Sequence, residues 1–201
     1  MDFIQLVDYA GTFAFAISGI RLASAKKFDW FGAYVVGLVT AIGGGTTRDI
    51  FLGITPFWMV QPSYLVVTAF ALLSVILFGK FLIKLNNTFF IFDAIGLGLF
   101  VVVGIERSLA AEFPFWVAIV MGMITGSVGG VIRDILINEV PLIFRKDIYA
   151  LACVLGGLVY YLCHIAGLNE NLTHILSATS VIAMRLIAVK FHLSLPVLKG
   201  S

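Results

Sequence analysis

The chain reads as an all-α integral membrane protein with seven transmembrane helices, built as two inverted three-helix repeats plus a seventh helix. Three observations predict this: a composition too apolar for a water-soluble domain, seven apolar stretches of membrane-spanning length, and self-similarity at a fixed offset. Of 201 residues, 61% are hydrophobic and 12% charged, with a mean hydropathy of +1.08. Globular domains hold roughly 45–50% apolar residues. A hydrocarbon core about 30 Å thick demands about 20 apolar residues of a helix. Such stretches run over 3–20, 31–51, 64–83, 89–105, 115–137, 148–166 and 172–189. Barrel strands would be shorter and would alternate in polarity.

The first stretch, FIQLVDYAGTFAFAISGI, has no basic segment before it and carries Asp8, which favours a retained helix over a cleaved leader. Loop Lys and Arg residues set orientation. One side receives Arg21, Lys26, Lys27, Lys80, Lys84, Arg145, Lys146, Lys190 and Lys199, and the other only Arg107. The asymmetry predicts a multi-pass protein of the cell inner membrane with its N-terminus outside and its C-terminus cytoplasmic. Arg48, Arg133 and Arg185 are left inside apolar stretches, and Arg185, near the cytoplasmic end of the last one, fits a snorkelling side chain. Cys153 and Cys163 are ten positions apart in one stretch, match no metal or redox spacing and read as packing residues.

An offset of 85 residues aligns the halves without a gap. Asp8 falls on Asp93, Gly11 on Gly96, Phe15 on Phe100, Gly37 on Gly122 and Thr40 on Thr125. GGGTTRDI at 43–50 then meets VGGVIRDI at 128–135, Pro56 meets Pro141 and Tyr64 meets Tyr149. Three helices per repeat send the second copy into the membrane from the opposite side. The domain organisation is thus one membrane domain over 1–201, with repeat 1 over 3–83, repeat 2 over 89–166 and the unpaired helix over 172–189. In proteins built this way the solute site lies near the midplane, at interrupted helices in corresponding positions.

Gly43, Gly44 and Gly45, with Gly129 and Gly130, predict kinks or breaks, since consecutive glycines weaken a helix by about 1 kcal/mol each. Freed carbonyls, with the hydroxyls of Thr40, Thr46, Thr47 and Thr125, are hard oxygens suited to a cation. The same glycines, spaced as Gly37, Ala41, Gly45 and Gly122, Gly126, Gly130, also fit close helix packing. From Phe31 to Arg48 is about 25 Å of helix at ~1.5 Å per residue, so Arg48 could snorkel. The apolar residues that follow both arginines favour an interior polar site instead. Neighbours in a helix do not face each other, which disfavours Arg48 with Asp49 and Arg133 with Asp134. A crossed arrangement, Arg48 with Asp134 and Arg133 with Asp49, is the expectation. Asp8 and Asp93, early in their helices, fit capping, interfacial exposure or solute binding.

No catalytic or nucleotide signature is present, the three histidines lack ligand spacing, and neither an enzyme, a metal site, a cofactor nor a nucleic-acid partner is expected. The paired Gly-Gly-x-x-Arg-Asp motifs, each followed by a proline, and the seventh helix resemble the prokaryotic trimeric intracellular cation channels over about Asp8 to Val189. Related bacterial proteins are also described as glycine transporters. The resemblance implies a homotrimer, surrounded by membrane lipids and possessing a potassium-conducting pore in each protomer, lined by the kinked second and fifth spans. The pathway residues would be Thr40, Gly43, Gly44, Gly45, Thr46, Arg48, Asp49, Thr125, Gly126, Gly129, Gly130, Arg133 and Asp134. Permeant monovalent cations, and bound lipid, are the ligands it implies. Val128 stands where a third glycine would make the second run equal to the first. A secondary transporter of a small solute such as glycine is the alternative reading.

Overall fold

The computed structural model describes residues 3–84, 88–145 and 148–194; Lys146 and Lys199 of the topology argument lie outside them. In chain order the elements are α1 (Phe3–Ala25), α2 (Trp30–Phe51), a short α3 (Phe57–Val60), α4 (Ser63–Lys84), α5 (Thr88–Ala110) and α6 (Phe115–Leu136). A 3-10 turn (Leu142–Phe144), α7 (Ala150–Ile165) and α8 (Glu170–Lys190) follow. Each apolar stretch of the sequence forms one of the long helices. The two short elements were not anticipated. They begin just after Pro56 and Pro141, which cannot donate a backbone bond but pre-set the backbone entering a helical turn.

Among the described residues, α1, α5, α6 and α8 are both long and apolar enough to cross a membrane. Polarity is distributed accordingly. Thr12, Ser18, Arg48, Asp93 and Arg133 are buried, while Trp30, Phe31, Phe70 and Leu77 are exposed. That is the reverse of a water-soluble protein, and it identifies an all-helical membrane protein.

The α1, α2, α5 and α6 helices make the centre, where α1 packs on α2 and α5, and α6 on α5 and α2. Outside them, α4 covers α1 and α2, α7 covers α5 and α6, and α8 lies on α5 and α7. The offset of 85 recurs in the backbone: left-handed residues end the helices at Lys27 and Glu112, and again at Gly53 and Asn138. Contacts between the halves are reciprocal. Gly11 meets the Phe100 ring and Gly96 the Phe15 ring, and the two phenylalanines themselves pack edge to face 5.1 Å apart.

The glycine runs do not interrupt α2 or α6, which remain helical throughout. Their effect is steric. A Cβ at Gly44 would stand 2.0 Å from the Thr125 carbonyl oxygen, and one at Gly129 would stand 2.2 Å from that of Thr40. The helices therefore cross antiparallel at backbone contact, held by packing that any side chain would block. The helix breaks expected from the sequence are thus corrected to a close crossing. Tertiary contact outweighs the propensity penalty, because neighbouring backbone replaces the missing side chain.

Gly44→Ala is expected to destabilise the protein by about 1–3 kcal/mol or more, because a backbone carbonyl cannot yield to the new methyl. Gly79→Ala, where nothing lies within 4 Å, serves as the control and should hold or raise the melting temperature. Thermal unfolding of the two variants in detergent checks this; equal melting curves would contradict the crossing.

Candidate functional site

Arg48 and Asp49 occupy the last turn of α2. Arg48 is 1% exposed, and its Nε and Nη2 donate to Asp49 Oδ1 at 2.8 and 2.7 Å. The other carboxylate oxygen accepts the backbone N–H of Phe57 at 2.9 Å, and the guanidinium stands 5.8 Å from the Phe57 ring centre. The end of α6 repeats this: Arg133 Nε donates to Asp134 Oδ1 at 2.8 Å, and Asp134 Oδ2 accepts the Leu142 N–H at 3.0 Å. Each aspartate thus ties the end of its helix to the start of the short element that follows.

The crossed pairing of Arg48 with Asp134 and Arg133 with Asp49 is not formed. Each arginine binds its own neighbour, since the carboxylate turns past the helix end towards a loop N–H and the long guanidinium wraps sideways to meet it. The i, i+1 rule compares side chains that stand straight out from the helix. Nor do the arginines snorkel, as both are buried.

Asp8 and Asp93 are neither caps nor interfacial groups. Both are buried, and Asp8 Oδ2 accepts from the Tyr64 hydroxyl at 2.7 Å, with Arg107 Nη2 3.9 Å away. Asp93 pairs with Arg133 Nη1, which also donates to Ser18 Oγ at 2.8 Å. Packing of α1 against α5 and α6 places these early-helix carboxylates inside the bundle. Arg185 is also buried rather than snorkelling: Nη1 donates to the Ile148 carbonyl at 2.8 Å, and the guanidinium lies over the Phe90 and Tyr149 rings at 5.0 and 4.7 Å.

Thr40 and Thr125 donate to the carbonyls of Val36 and Met121, each at 2.6 Å, while Thr46 and Thr47 donate to those of Ile42 and Gly43 at 2.7 and 2.9 Å. Their hydrogens are committed, and their oxygens keep acceptor capacity. Trp58 Nε1 uses that of Thr46 at 3.0 Å. Gly43 completes the crossing, facing Ile132 and Gly129 of α6, whereas Gly126 packs on Leu97 of α5, Gly45 is covered by Phe57 and Gly130 by Tyr149. The site therefore has two halves on either side of the α2/α6 crossing, not one midplane cluster of all the candidates.

Each half opens into a cavity. One, of about 160 Å³, is lined by Arg48, Asp49, Thr55, Phe57, Gln61 and Arg107. The other, of about 400 Å³, is lined by Leu22, Lys26, Phe89, Asp134, Glu139 and Arg145. Lys26 donates to Glu139 at 2.5 Å, and Arg145 Nη2 lies 3.4 Å from the same carboxylate. A third polar cluster stands apart at the junction of α5, α7 and α8, where Glu106 Oε1 meets His174 Nε2 at 2.5 Å and accepts from the Tyr160 hydroxyl. Among the described residues no group of three or more His, Cys, Asp or Glu could hold a metal ion.

A family model described as "Glycine transporter" matches this chain twice, over residues 5–80 and 90–165, the two halves related by the offset of 85. The UPF0126 inner membrane protein YadS of Escherichia coli is 38% identical over 96% of this chain and 95% of its own length. The solved TRIC trimeric intracellular cation channel orthologue from Rhodobacter sphaeroides superposes with a TM-score of 0.90 at 32% identity, covering 96% of this chain and all of the other. The chain belongs to the prokaryotic trimeric intracellular cation channel family. A further structure, described under conductance through TRIC cation channels, matches with a TM-score of 0.86 at 33% identity over 100% of this chain and 99% of that one.

In this family member the sequence pointed to the two Arg-Asp pairs but not to the groups that answer them. Tyr64 and Tyr149 were visible as an aligned pair, yet nothing local marked them as facing the repeated aspartates. The N–H groups of Phe57 and Leu142 carried no sequence signal at all, and Arg185 stood out only as a charge in an apolar stretch, with nothing to mark it as facing Tyr149.

Asp93→Ala is expected to cost about 3–5 kcal/mol, because Arg133 stays buried without its second carboxylate. Chemical denaturation in mixed micelles measures this, and an unchanged midpoint would show that Arg133 needs only Asp134. Glu139, outside the spanning helices, is held below its ordinary pKa of 4.5 by the Lys26 hydrogen bond and charge. Its folded value is depressed, so its contribution is present above the ordinary carboxylate range and is lost as pH falls through the lowered pKa. Glu139→Gln should therefore flatten the acid limb of a melting-temperature profile below about pH 4.5 and leave it parallel to the parent above.

Proposed function

We propose that the chain is a monovalent cation channel, conducting chiefly potassium through a path in each protomer of a homotrimer. The path runs along α2 and α6 between the two cavities. The observation that carries this is the pair of equivalent vestibules, each containing the aspartate of an Arg-Asp pair, on either side of an antiparallel crossing. Reciprocal contacts between residues 85 apart, and the family model's double match, support two inverted three-helix repeats with α8 as the seventh span. On this reading α1, α2, α4, α5, α6, α7 and α8 all cross the inner membrane, with the N-terminus outside and the C-terminus cytoplasmic.

Two arginines in a cation path would repel the ion if unpaired. Asp49 and Asp134 neutralise them at hydrogen-bond distance, and the backbone carbonyls of Thr40 and Thr125 lie at the crossing. Gly43, Gly44 and Gly129 keep side chains out of that crossing, so a modest separation of α2 from α6 would wet it. The family relatives described as TRIC cation channels support the ion over a larger solute. Membrane lipids surround the trimer, and no cofactor enters the reading.

Purified protein in planar bilayers should show discrete potassium-selective steps, and Arg48→Ala or Arg133→Ala should change unitary conductance or open probability several-fold. Silent bilayers, together with saturable glycine uptake into liposomes, would replace the channel with a small-solute carrier.

A further inference from the structure

The two duplicated half-sites are not in the same state. In the first, the Tyr64 hydroxyl donates to Asp8 Oδ2 at 2.7 Å, and Arg48 binds Asp49 without reaching Asp8. In the second, Arg133 holds both Asp134 and Asp93, while the Tyr149 hydroxyl and Asp93 Oδ2 are buried without a hydrogen-bond partner. Equivalent aspartates have thus taken different partners: a tyrosine in one half, an arginine in the other. Buried polar atoms are seldom left unpaired, so these two, with Arg133 Nη2 likewise unpaired beside Tyr149, mark bonds that another arrangement of these groups would make.

Cavity size follows the same asymmetry. Arg48, not drawn onto Asp8, lines the smaller vestibule of about 160 Å³. Arg133, drawn onto Asp93, does not line the larger one of about 400 Å³, which is left to Asp134 and Phe89. Two neighbours break the symmetry. Ser18 receives a bond from Arg133 at 2.8 Å, whereas its equivalent, Val103, offers Arg48 no such acceptor. Arg185, on the unduplicated α8, stacks on the Tyr149 ring and bonds the Ile148 carbonyl beside it, whereas Tyr64 packs against the Tyr9 and Phe57 rings.

We infer that the protein has a second state in which the halves exchange partners: Arg48 moves onto Asp8 and releases Tyr64, while Arg133 leaves Asp93 to the Tyr149 hydroxyl. The exchange widens the α2 vestibule and narrows the α6 vestibule. Repeats of the same construction, holding the same groups, make the two states near-equal in bonding, which is what a switch between them requires. This inference rests on the reading of the cavities as two ends of one path.

The test is cysteine labelling in proteoliposomes, with Cys153→Ala and Cys163→Ala as background and a thiosulfonate reagent as probe. Thr55→Cys reports the α2 vestibule and Leu22→Cys the α6 vestibule. Tyr64→Phe weakens the state described here, so labelling at position 55 should rise and at position 22 fall, each several-fold. Adding Tyr149→Phe should reverse that shift, although its hydroxyl bonds nothing in this state. Ser18→Ala, a milder change, should act in the same direction as Tyr64→Phe and serves where that variant folds poorly. Labelling that moves the same way at both positions, or that Tyr149→Phe fails to reverse, overturns the exchange. Flux through the same liposomes separates the two ideas: opposed labelling shifts without flux remove the channel and keep the exchange, whereas flux with fixed labelling keeps the channel and removes the exchange.

Discussion

A guanidinium inside an apolar bundle has no water to fall back on, and both halves of this protein are arranged around that constraint. Arg48 and Arg133 are buried in the last turns of α2 and α6, where each charge must be met by acceptors fixed in place. Asp49 and Asp134 meet it, and each spends its remaining oxygen on the N–H of a short element that follows a proline. The reversal of the chain after each helix is therefore set by the same carboxylate that neutralises the arginine. The Arg-Asp pair is as much a corner of the fold as a feature of the site.

That arrangement explains why α2 and α6 approach so closely. With the charges tied off at their ends, the helices meet at Gly43, Gly44 and Gly129, and the hydroxyls of Thr40 and Thr125 donate back to their own backbones. Gly44 and Gly129 then admit the opposing carbonyls of Thr125 and Thr40, closer than any side chain would permit. Helix packing in lipid gains little from apolar burial and depends on such contact. The polar groups consequently collect on either side of the crossing, and two separate cavities result where the sequence suggested a single interrupted centre.

The unduplicated helix gives this symmetric plan its asymmetry. The α8 helix packs on α5 and α7, carries Arg185 to the Tyr149 ring, and carries His174 to Glu106 and Tyr160 at the opposite end of the same groove. Among the described residues no cation stacks on Tyr64, which packs against the Tyr9 and Phe57 rings and binds Asp8. The first repeat is correspondingly the one in which tyrosine and aspartate are joined.

The sequence by itself determined the seven long helices, the offset of 85 and the identity of the two charged pairs, because each depends on local information. Apolar runs set the spans, and matching charges and prolines set the register. Only the tertiary structure decided the partners of those charges. Whether Arg48 answers Asp49, Asp134 or Asp8 depends on rotamers and on helix crossings made by residues far away in the chain. Glycine runs likewise specify weak helix propensity, but whether they end as breaks or as contact surfaces is settled by what packs against them. The burial of Asp8, Asp93 and Arg185, each near a helix end where a membrane interface was the simple expectation, follows from neighbouring helices that no local pattern describes.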